Sequence, residues 1–163
     1  MSEAVIASPI GPLGLETVGE SAVRRISFHA EGRPAAGLTG LLAEVNRQLT
    51  AYFEGRLQAF DLPIAPEGTP FQQSVWRALC AIPYGRTVTY ASLARTIGRP
   101  AAVRAVGAAN GRNPIPIVIP CHRVIGSSGQ LVGFGGGLNI KRRLLDLEAA
   151  GQLRIGDLPF AID

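Results

Sequence analysis

The sequence predicts an α/β (α+β) chain. A small N-terminal antiparallel sheet with one helix comes first, then a mostly helical C-terminal domain with a winged-helix-like helix-turn-helix. Three observations predict this. From Val5 to Phe28 apolar and turn residues alternate, as in two or three short antiparallel strands with tight turns. From Leu38 to Phe53 the apolar residues recur at helical spacing instead. Past Asp61 to Pro70, which holds three prolines and a glycine, the pattern stays helical and includes two short helices joined by Gly98-Arg99-Pro100. The proline-rich stretch divides the expected domains, 1–67 and 68–163.

Each element has its own signal. Ile6, Leu15, Val18, Val23, Ile26 and Phe28 supply the apolar side of the strands, and Pro9-Ile10-Gly11-Pro12 a turn. Leu38, Leu41, Leu42, Val45, Leu49, Tyr52 and Phe53 make an amphipathic helix over Thr39 to Glu54, ended by Gly55. Thr69-Pro70 is an N-cap followed by proline at the first helical position. Phe71, Val75, Leu79 and Ile82 then form one stripe, with Cys80 expected to lie buried beside it. Helices follow over Thr89 to Ile97 and Ala101 to Asn110. The second is mostly Ala, Val and Gly, with Arg104 its only charge. Such a bare face allows close approach to a duplex; it also fits a tightly packed structural hairpin.

At 163 residues and 47% hydrophobic the chain can bury a core as one domain or two small ones. No basic start precedes an apolar run at the N-terminus, and no apolar stretch nears the ~20 residues of a membrane span. Two cysteines give no disulfide framework and point to a reducing, cytoplasmic setting. Charge is distributed unevenly. Residues 1–67 hold five Arg against eight acids, residues 68–145 hold nine Arg and one Lys with no acid, and residues 146–163 hold one Arg against four acids. A basic block between acidic ends reads as a polyanion-binding surface.

The chemistry gathers at Ile117-Val118-Ile119-Pro120-Cys121-His122-Arg123-Val124-Ile125. A β-branched run, expected as a strand, carries a thiol to a proline bend beside an imidazole and a guanidinium. Thiolate is the reactive form of cysteine, and a nearby base or cation produces it near neutral pH. Side chains adjacent in a regular strand face opposite ways, so Cys121 and His122 can cooperate only at an irregular corner or through a water. Alone, a Cys-His pair is better read as a buried thiol next to a surface histidine; the run around it reverses that reading.

This run resembles the active-site motif, Pro-Cys-His-Arg-Val, of the O6-alkylguanine-DNA alkyltransferases. The resemblance extends upstream to Arg104-Ala105-Val106-Gly107-Ala108-Ala109-Asn110 and Asn113-Pro114-Ile115-Pro116-Ile117. Downstream it takes in Gly133-Phe134-Gly135-Gly136-Gly137-Leu138 and the Lys141 to Glu148 helix, and Ser8-Pro9-Ile10-Gly11-Pro12-Leu13 looks like the family's first hairpin. Order and spacing match from about residue 70 to residue 150.

The resemblance implies repair of duplex DNA containing O6-alkylguanine, with O4-alkylthymine a candidate second substrate. The damaged base is flipped out and its alkyl group passes once, irreversibly, to Cys121. It gives His122 the role of base and Glu148 that of its orienting acid. On helix geometry alone Glu148, at the edge of the stripe Ile140, Leu144 and Leu147, reads as a solvent-facing helix-end glutamate. By the same resemblance Tyr90 polarises the leaving purine, Asn113 ties the helix-turn-helix to the active-site segment, and Arg104 fills the vacated stack. Gln72, Arg99 and Ser127 match positions that touch the DNA backbone. Pro116, Val124, Phe134, Gly135 and Gly136 match pocket walls, with Phe134 where the family has Tyr. No cofactor is expected. The zinc that some relatives bind through two Cys and two His has no ligands here, because residues 1–67 contain only His29 of these types. A monomer is the expected state.

Three other readings compete. A non-catalytic lesion sensor of the alkyltransferase-like type would lack Cys121. A cysteine hydrolase has no use for a flipped-base pocket or an acid-free block. A sequence-reading transcription factor needs base-reading side chains that the Arg104 helix lacks.

Overall fold

Three antiparallel strands, β1 (Ser2–Ile6), β2 (Leu13–Val18) and β3 (Ala22–Ser27), form a sheet in the order β1-β2-β3. Residues 1–156 are described in this computed structural model; residues 157–163, the end of the expected C-terminal domain, lie outside the described residues. Leu13, Leu15 and Thr17 of β2 are buried, as are Val23 and Ile26 of β3, although three positions separate the latter pair. The register explains it. Glu16 pairs with Arg25 but Thr17 with Val23, so Arg24 is the extra residue of a bulge that returns Val23 and Ile26 to one face.

Helix α1 (Gly40–Phe53) buries Leu41, Val45, Leu49 and Tyr52. Thr39 precedes it without a side-chain cap; the Leu41 N–H donates instead to Glu20 Oε1 at 2.7 Å. Gly55, at φ +76, ends the helix in the left-handed region that glycine enters freely. The proline-rich stretch then runs along β3, where Val23 N–H donates to Pro63 O and Ala65 N–H to Val23 O, each at 2.8 Å.

Helix α2 (Pro70–Cys80) starts with a capping box: Thr69 Oγ1 accepts from Gln72 N–H at 3.1 Å, and Gln72 Oε1 accepts from Thr69 N–H at 2.9 Å. Trp76 is buried on this helix and its Nε1–H donates to Ala109 O at 2.9 Å. Cys80 is exposed, contrary to the burial expected for it. It is one residue on from buried Leu79, about a quarter-turn off the apolar stripe. Helices α3 (Tyr90–Thr96) and α4 (Val103–Gly111) form the helix-turn-helix and pack with α2. A short parallel pair, β4 (Val88–Thr89) with β5 (Val124–Ile125), lies alongside. The long α5 (Leu138–Gly156) closes the molecule. One buried cluster runs from Leu15 and Leu49 through Leu79 and Val106 to Ile119 and Leu144. No helix among the described residues is long and apolar enough to cross a membrane.

Candidate active site

The expected strand at 117–119 is a turn. Pro114, Pro116 and Pro120 remove the amide donors that a ladder needs, so only an isolated Pro116–Ile119 bridge remains. Ile117, buried and β-branched, holds φ +75, a region costly for such a side chain. Asn113 braces the turn from inside. Its Nδ2 donates to Ile119 O at 2.7 Å and its Oδ1 accepts from Ile115 N–H at 3.0 Å. The chain then enters a single 3-10 turn, Cys121–Arg123, all three residues of which are buried. This is the irregular corner that adjacent Cys121 and His122 require.

Glu148 gathers the charge behind that turn. Although it stands at the edge of the sequence stripe, it is only 1% exposed. Its Oε2 accepts from Tyr52 Oη at 2.6 Å and Arg123 Nη2 at 3.0 Å, and lies 2.7 Å from His122 Nε2. Its Oε1 accepts from Arg123 Nε at 2.8 Å and Gly85 N–H at 3.2 Å. Burial alone would raise this carboxyl, but the hydrogen bonds from His122 and Arg123 outweigh it and hold the pKa at about 2. An ionised carboxylate only accepts, so His122 Nε2 carries the proton and Nδ1 is the basic nitrogen. Burial lowers the His122 pKa, which keeps the ring neutral. Among the described residues Nδ1 is buried with no hydrogen-bond partner.

Burial pushes the Cys121 thiol up to about 11, against the downward pull of an Asn113 hydrogen bond and the Lys141 charge. The thiol is therefore protonated at neutral pH, and reaction needs a base to remove the proton. Lys141 was not foreseen here. It is fully buried on α5, donates from Nζ to Val124 O at 2.6 Å and Val132 O at 3.0 Å, and stands 6.0 Å over the Tyr90 ring. Its basic position within an apolar helix stripe was the available signal. Tyr90 donates from its hydroxyl to Val132 O at 3.2 Å, and burial, then the neighbouring Cys121, raises its pKa.

A cavity of about 190 Å³ opens beside Cys121, lined by Asn113, Pro116, Phe134 and Gly135 among the expected residues. Val124 lies outside the lining, fully buried in β5, and Gly136 is buried behind the loop. Arg104, Arg99 and Ser127 are exposed, Arg99 with its guanidinium 6.0 Å over Phe71. Gln72 is engaged in the α2 cap. Ile26, Ser27, Phe28 and His29 also line the cavity, although His29 had been assigned by sequence to a separate domain. No local pattern marks them, since only tertiary packing brings the sheet to Cys121.

A fold that sets a helix-turn-helix beside a buried Cys-His-Glu arrangement defines a class of DNA-directed cysteine chemistry. Residues 70–150 match the model of the 6-O-methylguanine DNA methyltransferase DNA-binding domain. The methylated-DNA–protein-cysteine methyltransferase of Methanosarcina barkeri is 53% identical over 151 residues, covering 88% of this chain and 94% of that one. Its counterpart in Mycobacterium tuberculosis is 49% identical over 147 residues, covering 88% and 89%. A crystal structure of Mycobacterium tuberculosis OGT in complex with DNA superposes with a TM-score of 0.83 at 47% identity, over 91% of this chain and 93% of that one. The chain belongs to the methylated-DNA–protein-cysteine methyltransferase family.

Proposed function

We propose that this protein repairs duplex DNA by moving the alkyl group of O6-alkylguanine onto Cys121 Sγ in one in-line displacement. The observation that carries the reading is the buried Glu148–His122 pair, whose second ring nitrogen is a neutral base set one residue from a protonated thiol. Glu148 fixes the tautomer, and Nδ1 takes the Cys121 proton through a bridging water. The S–C bond forms as the C–O bond breaks, and the electron pair leaves on the guanine oxygen. The Tyr90 hydroxyl stabilises the departing purine by donating to it as charge develops. Lys141 favours the thiolate as it forms, and Asn113 holds the turn on which Cys121 sits.

Reaching that thiol requires the base outside the stack, at a cost of a few kcal/mol that Arg104 offsets by filling the gap. Gln72, Arg99 and Ser127 contact the phosphate backbone; Pro116, Phe134 and Gly135 enclose the extruded base. The crystal structure of the Mycobacterium tuberculosis relative in complex with DNA supports DNA as the partner. The product thioether has no hydrolysable bond, so each chain acts once, as a monomer in the cytoplasm.

Intact-protein mass after mixing with excess O6-methylguanine duplex tests this. One added methylene unit per chain, located on Cys121, is expected. More than one equivalent of repaired base per chain, or an adduct on exposed Cys80 alone, would refute it.

A further inference from the structure

The end of β3 crosses the cavity beside Cys121 and is tied to both of its sides. Ile26 N–H donates to Pro114 O at 3.0 Å, on the proline turn. Further along, His29 Nε2 meets Gly136 O at 3.1 Å, and because a carbonyl only accepts, this nitrogen carries the proton. Between these ties Phe28 packs tilted on Phe134, ring centroids 5.4 Å apart at 51°. A Cβ added to Gly136 would stand 2.8 Å from Phe28 Cδ2, so only glycine lets the loop approach the ring this closely. His29 adopts φ +54, uncommon for a residue with a side chain, and sits exposed at the cavity rim. Neither the Cys121 motif nor the helix-turn-helix accounts for these residues.

We propose that Phe28 and His29 form a specificity wall. They fix the spacing between the Pro116 side and the Phe134–Gly136 side of the cavity, and so set how fast O6-alkyl groups larger than methyl reach Cys121. The proposal rests on the reading of Cys121 as alkyl acceptor. With a purine between those sides, a group larger than methyl must displace the Phe28 ring or the glycine loop packed on it. One methylene in an apolar pocket already changes selectivity by roughly tenfold or more, so a fixed aromatic wall is a strong filter. The His29 bond keeps the loop against that wall.

The test compares transfer rates from one duplex carrying O6-methylguanine and the same duplex carrying O6-benzylguanine. The proteins are the unaltered chain, Phe28→Ala, His29→Ala and His29→Gln. Taking the benzyl-to-methyl ratio within each preparation removes any loss of folded fraction. The ratio is expected to rise on the order of tenfold in Phe28→Ala and roughly two- to fivefold in His29→Ala, as one exposed hydrogen bond allows. In His29→Gln, whose amide still donates, it should stay within about twofold of the unaltered protein. An unchanged ratio in both alanine variants, or a fall of both rates by one common factor, would overturn the proposal. Absence of any alkyl group on Cys121 of the unaltered protein is a distinct result and would overturn the underlying reading along with it.

Discussion

Arginine serves two opposite purposes in this molecule. Behind the active-site turn, Arg123 is 6% exposed, bound through Nε and Nη2 to Glu148 and through Nη1 to Ile82 O at 2.6 Å. On the helix-turn-helix, Arg95, Arg99, Arg104 and Arg112 are exposed, and among the described residues none of the four forms an ion pair. The first guanidinium is spent on holding a carboxylate and hence the imidazole tautomer. The others have no acidic partner among the described residues, and the proposed function assigns their charge to DNA. The acid-free block of residues 68–145 makes sense of both, since the carboxylate that Arg123 needs comes from α5, just beyond the block. In the proposed function, chemistry and DNA capture therefore use the same residue type and are separated by burial.

The division predicts effects of graded size. Cys121→Ser should remove alkyl transfer entirely while leaving duplex affinity unchanged, because a hydroxyl buried there stays protonated; gel-shift and mass assays on the same sample check this. Transfer near the normal rate would remove Cys121 from its role.

Glu148→Gln should lower stability by roughly 3 kcal/mol or more in denaturant unfolding, since it strands buried Arg123. It should also slow transfer on free O6-benzylguanine and on duplex alike. A loss confined to duplex would move Glu148 to the DNA-binding side of the comparison.

Acid should unfold the protein through the same cluster. Glu148, held at about 2 when folded against an ordinary 4.5, contributes stability above 4.5 that is lost as pH falls toward 2. His122, lowered from an ordinary 6.5, adds a loss that begins as pH falls below 6.5. Melting temperature should therefore drop from pH 6.5 downward, and the drop should shrink in Glu148→Gln. An equal acid response in both proteins would show that other groups dominate.

The smallest effect belongs to the open surface. Arg112→Ala should weaken duplex binding at every sequence and reduce the slope of log affinity against log salt by about 1, with no change in melting temperature beyond about 0.5 kcal/mol equivalent.

Much of this was legible in the sequence where a local rule decided it. The Leu38–Phe53 stripe, read as a helix over Thr39 to Glu54, marks both ends of α1 to within a residue. The Thr69-Pro70 cap marks the start of α2, whose stripe runs on to Ile82 in the sequence although the helix ends at Cys80. The Pro120–Val124 run pointed to Cys121 before any geometry was known. The failures are equally physical. Ile117-Val118-Ile119 reads as a strand by composition, yet three prolines around it leave too few donors for pairing. Helix geometry alone points Glu148 to solvent, yet it is buried, because a helix face says which side is apolar, not what stands opposite. Its partner Tyr52 lies 96 residues away, and its burial was legible while its bond was not. His29 and Phe28 reach the cavity only because the sheet packs onto the glycine loop, a contact that no spacing along the chain encodes.

The most direct test of the separation is the effect of Arg104→Ala on two substrates measured side by side. Arg104 is exposed on α4 and stands outside the Glu148 cluster, so single-turnover transfer from free O6-benzylguanine should stay within about twofold of the unaltered rate. Transfer from an O6-methylguanine duplex should fall at least on the order of tenfold, the part of the few kcal/mol of unstacking that an inserted side chain offsets. Equal losses on both substrates would contradict the account, because they would make Arg104 part of the chemistry or the fold rather than of base delivery.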